Sequence, residues 1–364
     1  MKTYNYCVLG AGAMGRAAAY DLIRQPDSGS VLIADKDDDR LEAAKETLND
    51  NRIQTRTINA EDVKQVEEVL KGRDAGIAAM HYGLNLNITK AAIRVRTNLC
   101  DLGGNDLVVD EQLKLSQSAS EAGISIIPDC GLAPGLVSMF VKWGVEKFDW
   151  VDTVKIRVGG LPQKPEGELK YGIVFSVDGL INEYTEPVRV LRNGEIKTIE
   201  PLTEIEEIKF PDVGSGHDQT LLEAFTTSGG ASTLISSYRG RLRNLDYKTI
   251  RHQGHCDLIR AIYKNGTLTK SHLEEILPVC REDVVLVKVI FEGNSKRHEL
   301  IMVEKAKPPF TAMMRTTAFP ASIISQMQAK GQVTKIGVQP QELCVPSNIF
   351  INELSKRGIS VKGI

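Results

Sequence analysis

The sequence predicts a two-part α/β architecture. Residues 1–134 form a doubly wound parallel sheet, residues 135–314 a second α+β domain built on a mostly antiparallel sheet, and residues 315–364 a helical segment that returns to the first domain. Three observations predict this. Apolar runs of strand length alternate with helix-spaced runs over about 130 residues, which is the order that a parallel sheet with crossover helices requires. The first strand runs straight into Gly10-Ala11-Gly12-Ala13-Met14-Gly15, and the small residues after Gly15 open a helix. Beyond Pro134-Gly135 the alternation gives way to strand-like runs separated by turns such as Arg192-Asn193-Gly194, the pattern of antiparallel pairing.

Taken in order, Tyr6-Cys7-Val8-Leu9 is the first strand and Ser30-Val31-Leu32-Ile33-Ala34-Asp35 the second. A helix follows over Asp38–Leu48, with Leu41, Ala44 and Leu48 on one face. Ile53–Ile58 alternates as a third strand, and Asn59-Ala60-Glu61-Asp62 caps a helix carrying Val63, Val66, Val69 and Leu70. Asp74–Met80 is a fourth strand that opens onto His81-Tyr82-Gly83, and a helix over Asn87–Arg94 leads to the strand Asn98–Leu102. A helix over Asp110–Ala122 and the strand Ile124–Pro128 complete the alternation.

The Gly-x-Gly-x-x-Gly turn between a strand and a helix is the dinucleotide-binding signature of the Rossmann fold, and each glycine has a task. Gly10 permits the tight turn, Gly12 lets backbone N–H groups approach a pyrophosphate, and Gly15 lets the helix lie close on the strand. The pyrophosphate then meets the helix N-terminus, where Ala13 and Met14 stand. Asp35 ends the second strand about 20 residues past Gly15, where a ribose-binding acid belongs. A carboxylate there accepts hydrogen bonds from the ribose hydroxyls of NAD and repels the extra phosphate of NADP, so NAD is the expected cofactor, a preference Lys36 softens. Ligands of such sheets sit at the carboxyl ends of the strands. That places Ala60 near the adenine and Met80 near the nicotinamide ribose.

In the second part, a helix over Leu136–Phe148 precedes strand-like runs at Thr153–Val158, Gly172–Val177, Pro187–Arg192, Ile196–Ile199, Tyr247–His252, Asp283–Phe291 and His298–Lys305. Thr316–Lys330 returns to a helical pattern, and the polar stretch Asp212–Gln219 reads as a mobile loop.

Composition narrows the function classes. With 42% hydrophobic and 25% charged residues and a formal net charge of -2, the chain is expected to bind neither nucleic acid nor membrane. Its apolar runs fall well short of the roughly 20 residues of a membrane helix. Met1-Lys2 leads directly into the first strand, without a signal peptide, and a cytoplasmic location is expected. The six cysteines, Cys7, Cys100, Cys130, Cys256, Cys280 and Cys344, lack metal-ligand spacing and read as reduced thiols. Cys130, in a glycine-rich turn, is the one thiol with an alternative as a reactive group. His252 and His255 lack further ligands at usable spacing, so no metal site is expected.

Several stretches together resemble the saccharopine dehydrogenase-like oxidoreductases: the glycine turn, Asp101-Leu102-Gly103-Gly104, Pro128–Gly135, Thr227-Ser228-Gly229-Gly230 and Tyr247–His255. Within that group the chain most resembles the L-lysine 6-dehydrogenase branch, through Gly159-Gly160-Leu161-Pro162, Val174–Leu180 and Glu223–Gly230. The resemblance implies NAD-dependent oxidation of the lysine ε-carbon to an imine, which is hydrolysed to allysine and ammonia. It also implies a homodimer or homotetramer whose partner is a small amino-acid substrate. Relatives acting on saccharopine or on carboxylated polyamines such as carboxynorspermidine share this frame and supply the alternative. A non-catalytic NAD-binding sensor is a third reading, for which the chain shows no helix-turn-helix or appended module.

The chemistry sets the needs of the site. The amine must lose a proton before hydride can leave, a water must then be activated, and the amino-acid head needs a cation and an acid. Asp129, following a strand and opening a Gly/Pro-rich turn, is the first candidate for the amine-binding acid. Asp101 is placed to orient the ribose or the amine, and Tyr82 and His81 stand at the nicotinamide end. Arg251 is the candidate carboxylate clamp, with Thr227 and Ser228 forming an anion-binding backbone nest. Each has a plain structural alternative: a turn acid for Asp129, a ligand of the Gly103-Gly104 backbone for Asp101, packing for His81 and Tyr82, an ion pair for Arg251, and a tight turn at Thr227-Ser228.

Overall fold

The computed structural model describes residues 2–211 and 219–364, so most of the expected loop at Asp212–Gln219 lies outside the described residues. The chain divides into two compact units, Met1–Met139 with Met314–Lys356, and Phe140–Met313 with Arg357–Ile364.

The first unit is built on strands β1 (Tyr4–Leu9), β2 (Ser28–Asp35), β3 (Ile53–Thr57), β4 (Ala75–Ala78), β5 (Asn98–Asp101) and β6 (Ser125–Ile127). A short strand, Gly337–Val338, adds to β6, and the order from that edge is Gly337–Val338, β6, β5, β4, β1, β2, β3. Every pairing is parallel, as in Val8 beside Ile33 and Ile77. The reversal of strand order between β1 and β4 makes the crevice at their carboxyl ends the ligand-binding position of this Rossmann sheet. Both faces are covered, which is why Cys7, Leu9, Leu32 and Ala34 form an almost unbroken apolar series. They pack with Val66, Val69, Ile88 and Leu99 in one core.

Helices over Asp38–Leu48 and Val63–Leu70 begin where Asp37 and Asp62 accept hydrogen bonds from Arg40 N and Lys64 N. The single helix expected over Asp110–Ala122 is two, Asp106–Leu113 and Ser116–Ala122. The first closes as Leu115 N bonds Gln112 O, and Leu115 turns into the core at the break. A long helix, Ala312–Ala329, carries the chain back to the first unit. There Ser322 and Gln326 donate to Asp21 at 2.6 and 3.3 Å, and Gln328 donates to the carbonyls of Leu99 and Ser125 at 3.0 and 2.9 Å. The expected C-terminal segment is divided: Met314–Lys356 belongs to the first unit, whereas Arg357–Ile364 belongs to the second, where Lys362 pairs with Ile301.

The second unit contains β7 (Thr153–Pro162), β8 (Val188–Arg192), β9 (Glu195–Ile199), β10 (Glu206–Pro211), β11 (Gln219–Thr226), β12 (Asn244–Arg251), β13 (Asp283–Gly293) and β14 (Lys296–Lys305). Its main order is β10-β11-β12-β7-β13-β14, with β8 joining β12 and β9. All pairings are antiparallel except β12 with β7. Gly172–Val177 is not the strand its apolar alternation predicts. Its backbone makes one isolated bridge, Ile173 to Val279, and Ser176 then accepts from Gly179 N to cap a helix over Val177–Thr185. Its side chains still serve the core, with Ile173, Val174 and Phe175 packed beside Leu180, Phe225 and Ile250. Among the described residues, no helix is long and apolar enough to cross a membrane.

Within the second unit, the fully buried Asp283 anchors the start of the long helix, its two oxygens accepting from Ala312 N at 2.6 Å and Met313 N at 2.8 Å. Asp283→Ala leaves both N–H groups without an acceptor and is expected to lower the unfolding free energy by about 2–3 kcal/mol. Denaturant melts test this, and an unchanged midpoint would contradict it.

Candidate functional site

In the first unit the glycine turn closes as its spacing requires. Gly10 has φ +108°, and a side chain on Gly15 would overlap the Gly10 carbonyl, so β1 and the following helix meet backbone to backbone. Gly12 precedes the helix Ala13–Ile23 without any side-chain cap, and the space where its Cβ would stand is open. An uncapped N-terminus under open space fits a pyrophosphate. Asp35, 6% exposed, accepts from Ala11 N at 2.7 Å and from Asp37 N at 3.1 Å, so the acid that ends β2 also holds the turn. Met80 lies against Gly10, and Ala60 is buried just past the end of β3.

A second cluster occupies the carboxyl ends of β4, β5 and β6. Asp101 is fully buried. One of its oxygens accepts from Gly103 N at 2.8 Å and Asp129 N at 3.1 Å, and the other accepts from Gln112 Nε2 at 2.7 Å. Gln112 also donates to Thr89. Burial pushes the Asp101 carboxyl up, while these three donors pull it back toward the ionised form. Asp101 therefore ties the β5 and β6 turns together from beneath. Asp129, 2% exposed, stands in the left-handed region at φ +63°, with its carboxylate packed on Gly103. Its backbone carbonyl accepts from Gln341. Gly104, at φ +128°, leaves room for the Tyr82 ring. The structure thus brings together Asp101, Asp129 and Tyr82. His81 lies exposed beside Tyr82, ring centroids 4.2 Å apart, and its Nδ1 accepts from Gly83 N. Cys130 is wholly buried, and burial raises its thiol, which makes it an inert core group.

In the second unit, Arg251 ends β12 and is 2% exposed. Its Nε donates to Tyr184 at 3.0 Å, one terminal nitrogen to the Ile250 carbonyl at 2.9 Å, and the other to Glu183 at 3.3 Å. The guanidinium lies over the Tyr171 ring, 4.5 Å from its centroid. Burial works against its charge, and the Tyr184, Tyr171 and Glu183 oxygens outweigh that cost. Glu183 is pushed up to about 7 by burial, against the pull of Arg251. His255 completes the row: Nδ1 faces the Leu169 carbonyl at 2.9 Å and must donate to it, so Nε2, 3.0 Å from Tyr184, accepts the phenol proton. Thr227 and Thr249 share a hydrogen bond of 2.7 Å, and Ser228 donates to Glu186. The backbone N–H groups of Ser228 and Gly230 are taken by Glu183 O and Ser228 O, so neither is aimed at an anion. No group of three or more potential metal ligands occurs among the described residues.

Glu183, Tyr184, Tyr171 and Gln112 are not among the residues the sequence singles out. The signal for the first two was the Ser176 cap with Asp178 in the first turn, a helix start that the apolar alternation conceals.

The chain matches the saccharopine dehydrogenase NADP binding domain over residues 6–127 and the saccharopine dehydrogenase C-terminal domain over residues 131–359. Among curated proteins it is similar to the alpha-aminoadipic semialdehyde synthase of Bos taurus, 25% identical over 52% of this chain and 20% of that protein. The carboxynorspermidine synthase of Vibrio alginolyticus is 26% identical over 57% of this chain and 55% of that protein. The NADP(+), L-glutamate-forming saccharopine dehydrogenase of Saccharomyces cerevisiae is 22% identical over 72% and 58%. The chain thus spans less than two thirds of each of these relatives. Among solved structures, apo saccharopine dehydrogenase (L-Glu forming) from S. cerevisiae superposes with a TM-score of 0.79 at 16% identity over 99% of both chains. The homospermidine synthase of Legionella pneumophila, solved with NAD, superposes at 0.70 and 12% identity over 98% of this chain and 90% of that one. At these identities the superpositions establish the shared fold.

Burial and the nearby Arg251 push His255 down to about 3 from an ordinary 6.5. The folded protein therefore holds His255 neutral while the unfolded chain protonates it, so its contribution is complete above pH 6.5 and declines as pH falls toward 3. His255→Gln is expected to flatten the pH dependence of unfolding between about pH 6 and pH 4 by roughly one proton. Denaturant melts across that range test it, and a variant slope equal to that of the parent would contradict a neutral buried imidazole.

Proposed function

The chain belongs to the saccharopine dehydrogenase family, and we propose that within it this protein is an NAD-dependent L-lysine 6-dehydrogenase. The ε-carbon of lysine gives up a hydride and the ε-nitrogen a proton. Water then adds to the imine, releasing ammonia and allysine, which cyclises to a piperideine carboxylate.

The observation that carries the choice of substrate is the state of the cations in the second unit. Lys155 pairs with Glu292, Arg157 with Asp246 and Glu206, and Arg192 with Asp246 and Glu204. Arg189 is also engaged, and Arg239, Arg241 and Arg243 are exposed along one short stretch. Arg157 is as deeply buried as Arg251, but its charge is met by two carboxylates, whereas Arg251 meets one, Glu183, and keeps guanidinium hydrogens to spare. One such cation suits a substrate with one carboxylate, as lysine has, better than saccharopine with its additional carboxylates. Carboxynorspermidine also fits a single cation, and the likeness to the Vibrio synthase makes its reductive formation the second reading.

The roles proposed here are each supported by local geometry within one unit. The glycine turn, the uncapped helix N-terminus and Asp35 would hold the dinucleotide, which when bound supplies the hydride acceptor. The acid at the end of β2 supports NAD over NADP. Asp129 takes the proton from the ammonium, releases it to solvent and then takes one from the attacking water, Tyr82 borders the same turn, and Asp101 positions Asp129 through its backbone. Arg251 binds the substrate carboxylate.

The test is formation of reduced nicotinamide by the purified protein at alkaline pH with L-lysine, saccharopine, carboxynorspermidine and ornithine, with ammonia measured in parallel. Lysine-dependent reduction with matching ammonia is expected. Reaction with saccharopine or the polyamine alone would overturn the assignment in favour of a larger amine, and silence across the panel would turn it toward a sensor. Asp129→Asn is expected to lower turnover by about 100-fold while NADH still binds, the scale of a lost general base, and a loss under about threefold would remove Asp129 from that role. Asp35→Arg is expected to shift preference toward NADP, and an unchanged preference would take Asp35 out of the ribose site.

A further inference from the structure

Three groups around the end of β12 are only partly satisfied. Arg251 carries five N–H donors and three have partners, which leaves one hydrogen on each terminal nitrogen without an acceptor among the described residues. Glu183, on the last turn of the helix Val177–Thr185, meets Arg251 through one oxygen, Oε2. Its Oε1 has no partner among the described residues, and the side chain keeps 21% of its surface accessible. The Tyr171 ring lies beneath the guanidinium, its centroid 4.5 Å from the guanidinium carbon, and no partner for its hydroxyl occurs among the described residues. The remaining neighbours are already committed. Tyr184 is fixed between Arg251 Nε and His255, and His255 between Tyr184 and Leu169.

We propose that Arg251 and Glu183 together form a receptor for the α-amino-acid head group, the guanidinium and the Tyr171 hydroxyl binding the carboxylate and Glu183 Oε1 binding the α-ammonium. A cation and an anion fixed side by side, each with unused hydrogen-bonding capacity and the anion partly accessible, match the two charges of a zwitterion in type and number. An isolated structural ion pair gains nothing from leaving that capacity unused, because donors and acceptors taken from water without replacement cost free energy. The charge balance agrees. Burial outweighs a single 3.3 Å contact with Arg251 and leaves the Glu183 carboxyl pushed up to about 7, and an ammonium on Oε1 supplies the missing positive charge. The inference rests on the reading of the protein as an enzyme of amino-acid substrates and names the residue that reads the α-amino group.

Ligands without a reactive ε-amine separate the site from the reaction. The full chain, with and without NADH, is titrated calorimetrically with L-norleucine, which carries the whole head group, with hexanoate, which carries the carboxylate alone, and with hexylamine, which carries the ammonium alone. L-norleucine is expected to bind at least about tenfold more tightly than either. Glu183→Gln is expected to weaken L-norleucine by about tenfold or more and leave hexanoate unchanged, whereas Arg251→Gln weakens both. Equal affinities for L-norleucine and hexanoate in the parent protein would overturn the proposal, and so would a Glu183→Gln protein that binds L-norleucine as the parent does. The parent series decides the matter should a variant fail to fold. Binding of L-norleucine without lysine turnover would refute the proposed reaction and leave the receptor standing, and lysine turnover without a norleucine advantage would do the reverse.

Discussion

The close approach of the Gly15 backbone to the Gly10 carbonyl is the constraint on which the first unit depends. With no Cβ between them, the helix Ala13–Ile23 starts directly off β1 and its N-terminus opens without a side-chain cap. Asp35 makes that arrangement rigid from the next strand by accepting the Ala11 N–H. The same acid is thus a fold element and a candidate ribose ligand, and a cofactor in this turn would meet a surface already shaped before it arrives. The reversal of strand order beside β1 then sets Asp101, Asp129 and Tyr82 at the neighbouring strand ends.

The two units use buried charge in contrasting ways. Asp101 is enclosed by three donors, its lone pairs are directed at backbone and Gln112, and its effect is to hold Gly103 and Asp129 in conformations that ordinary residues avoid. Arg251 is nearly as deep and Glu183 half-buried, and each keeps unused capacity. A satisfied network rigidifies, whereas an incompletely satisfied one gains free energy when a ligand of matching charge completes it. This contrast is the basis on which we propose a positioning role for Asp101 and a binding role for the Arg251 pair.

The sheet of the first unit was legible because a parallel sheet covered on both faces writes its strands as continuous apolar runs, and the turn and acid at fixed spacing mark what those strands carry. Asp129 and Tyr82 were legible as strand-end residues. The bond from Gly103 N to Asp101 was legible as its structural alternative, but the one from Gln112 was not, because Gln112 lies on a helix whose break at Leu115 leaves no clear mark in the apolar pattern. In the second unit, alternation at Ile173, Val174, Phe175 and Val177 imitates a strand, while Ser176 caps a helix that carries Glu183 and Tyr184. Those two reach Arg251 across 68 and 67 residues of sequence, a proximity that only the pairing of the whole sheet creates.

The central claim is that hydride leaves the ε-carbon of lysine. Turnover of L-lysine deuterated at that carbon, with the reduced cofactor and the released ammonia analysed together, tests it most directly. The account predicts deuterium on the reduced nicotinamide and one ammonia for each cofactor reduced. Reduced cofactor free of deuterium would place the oxidation at another carbon and contradict the account.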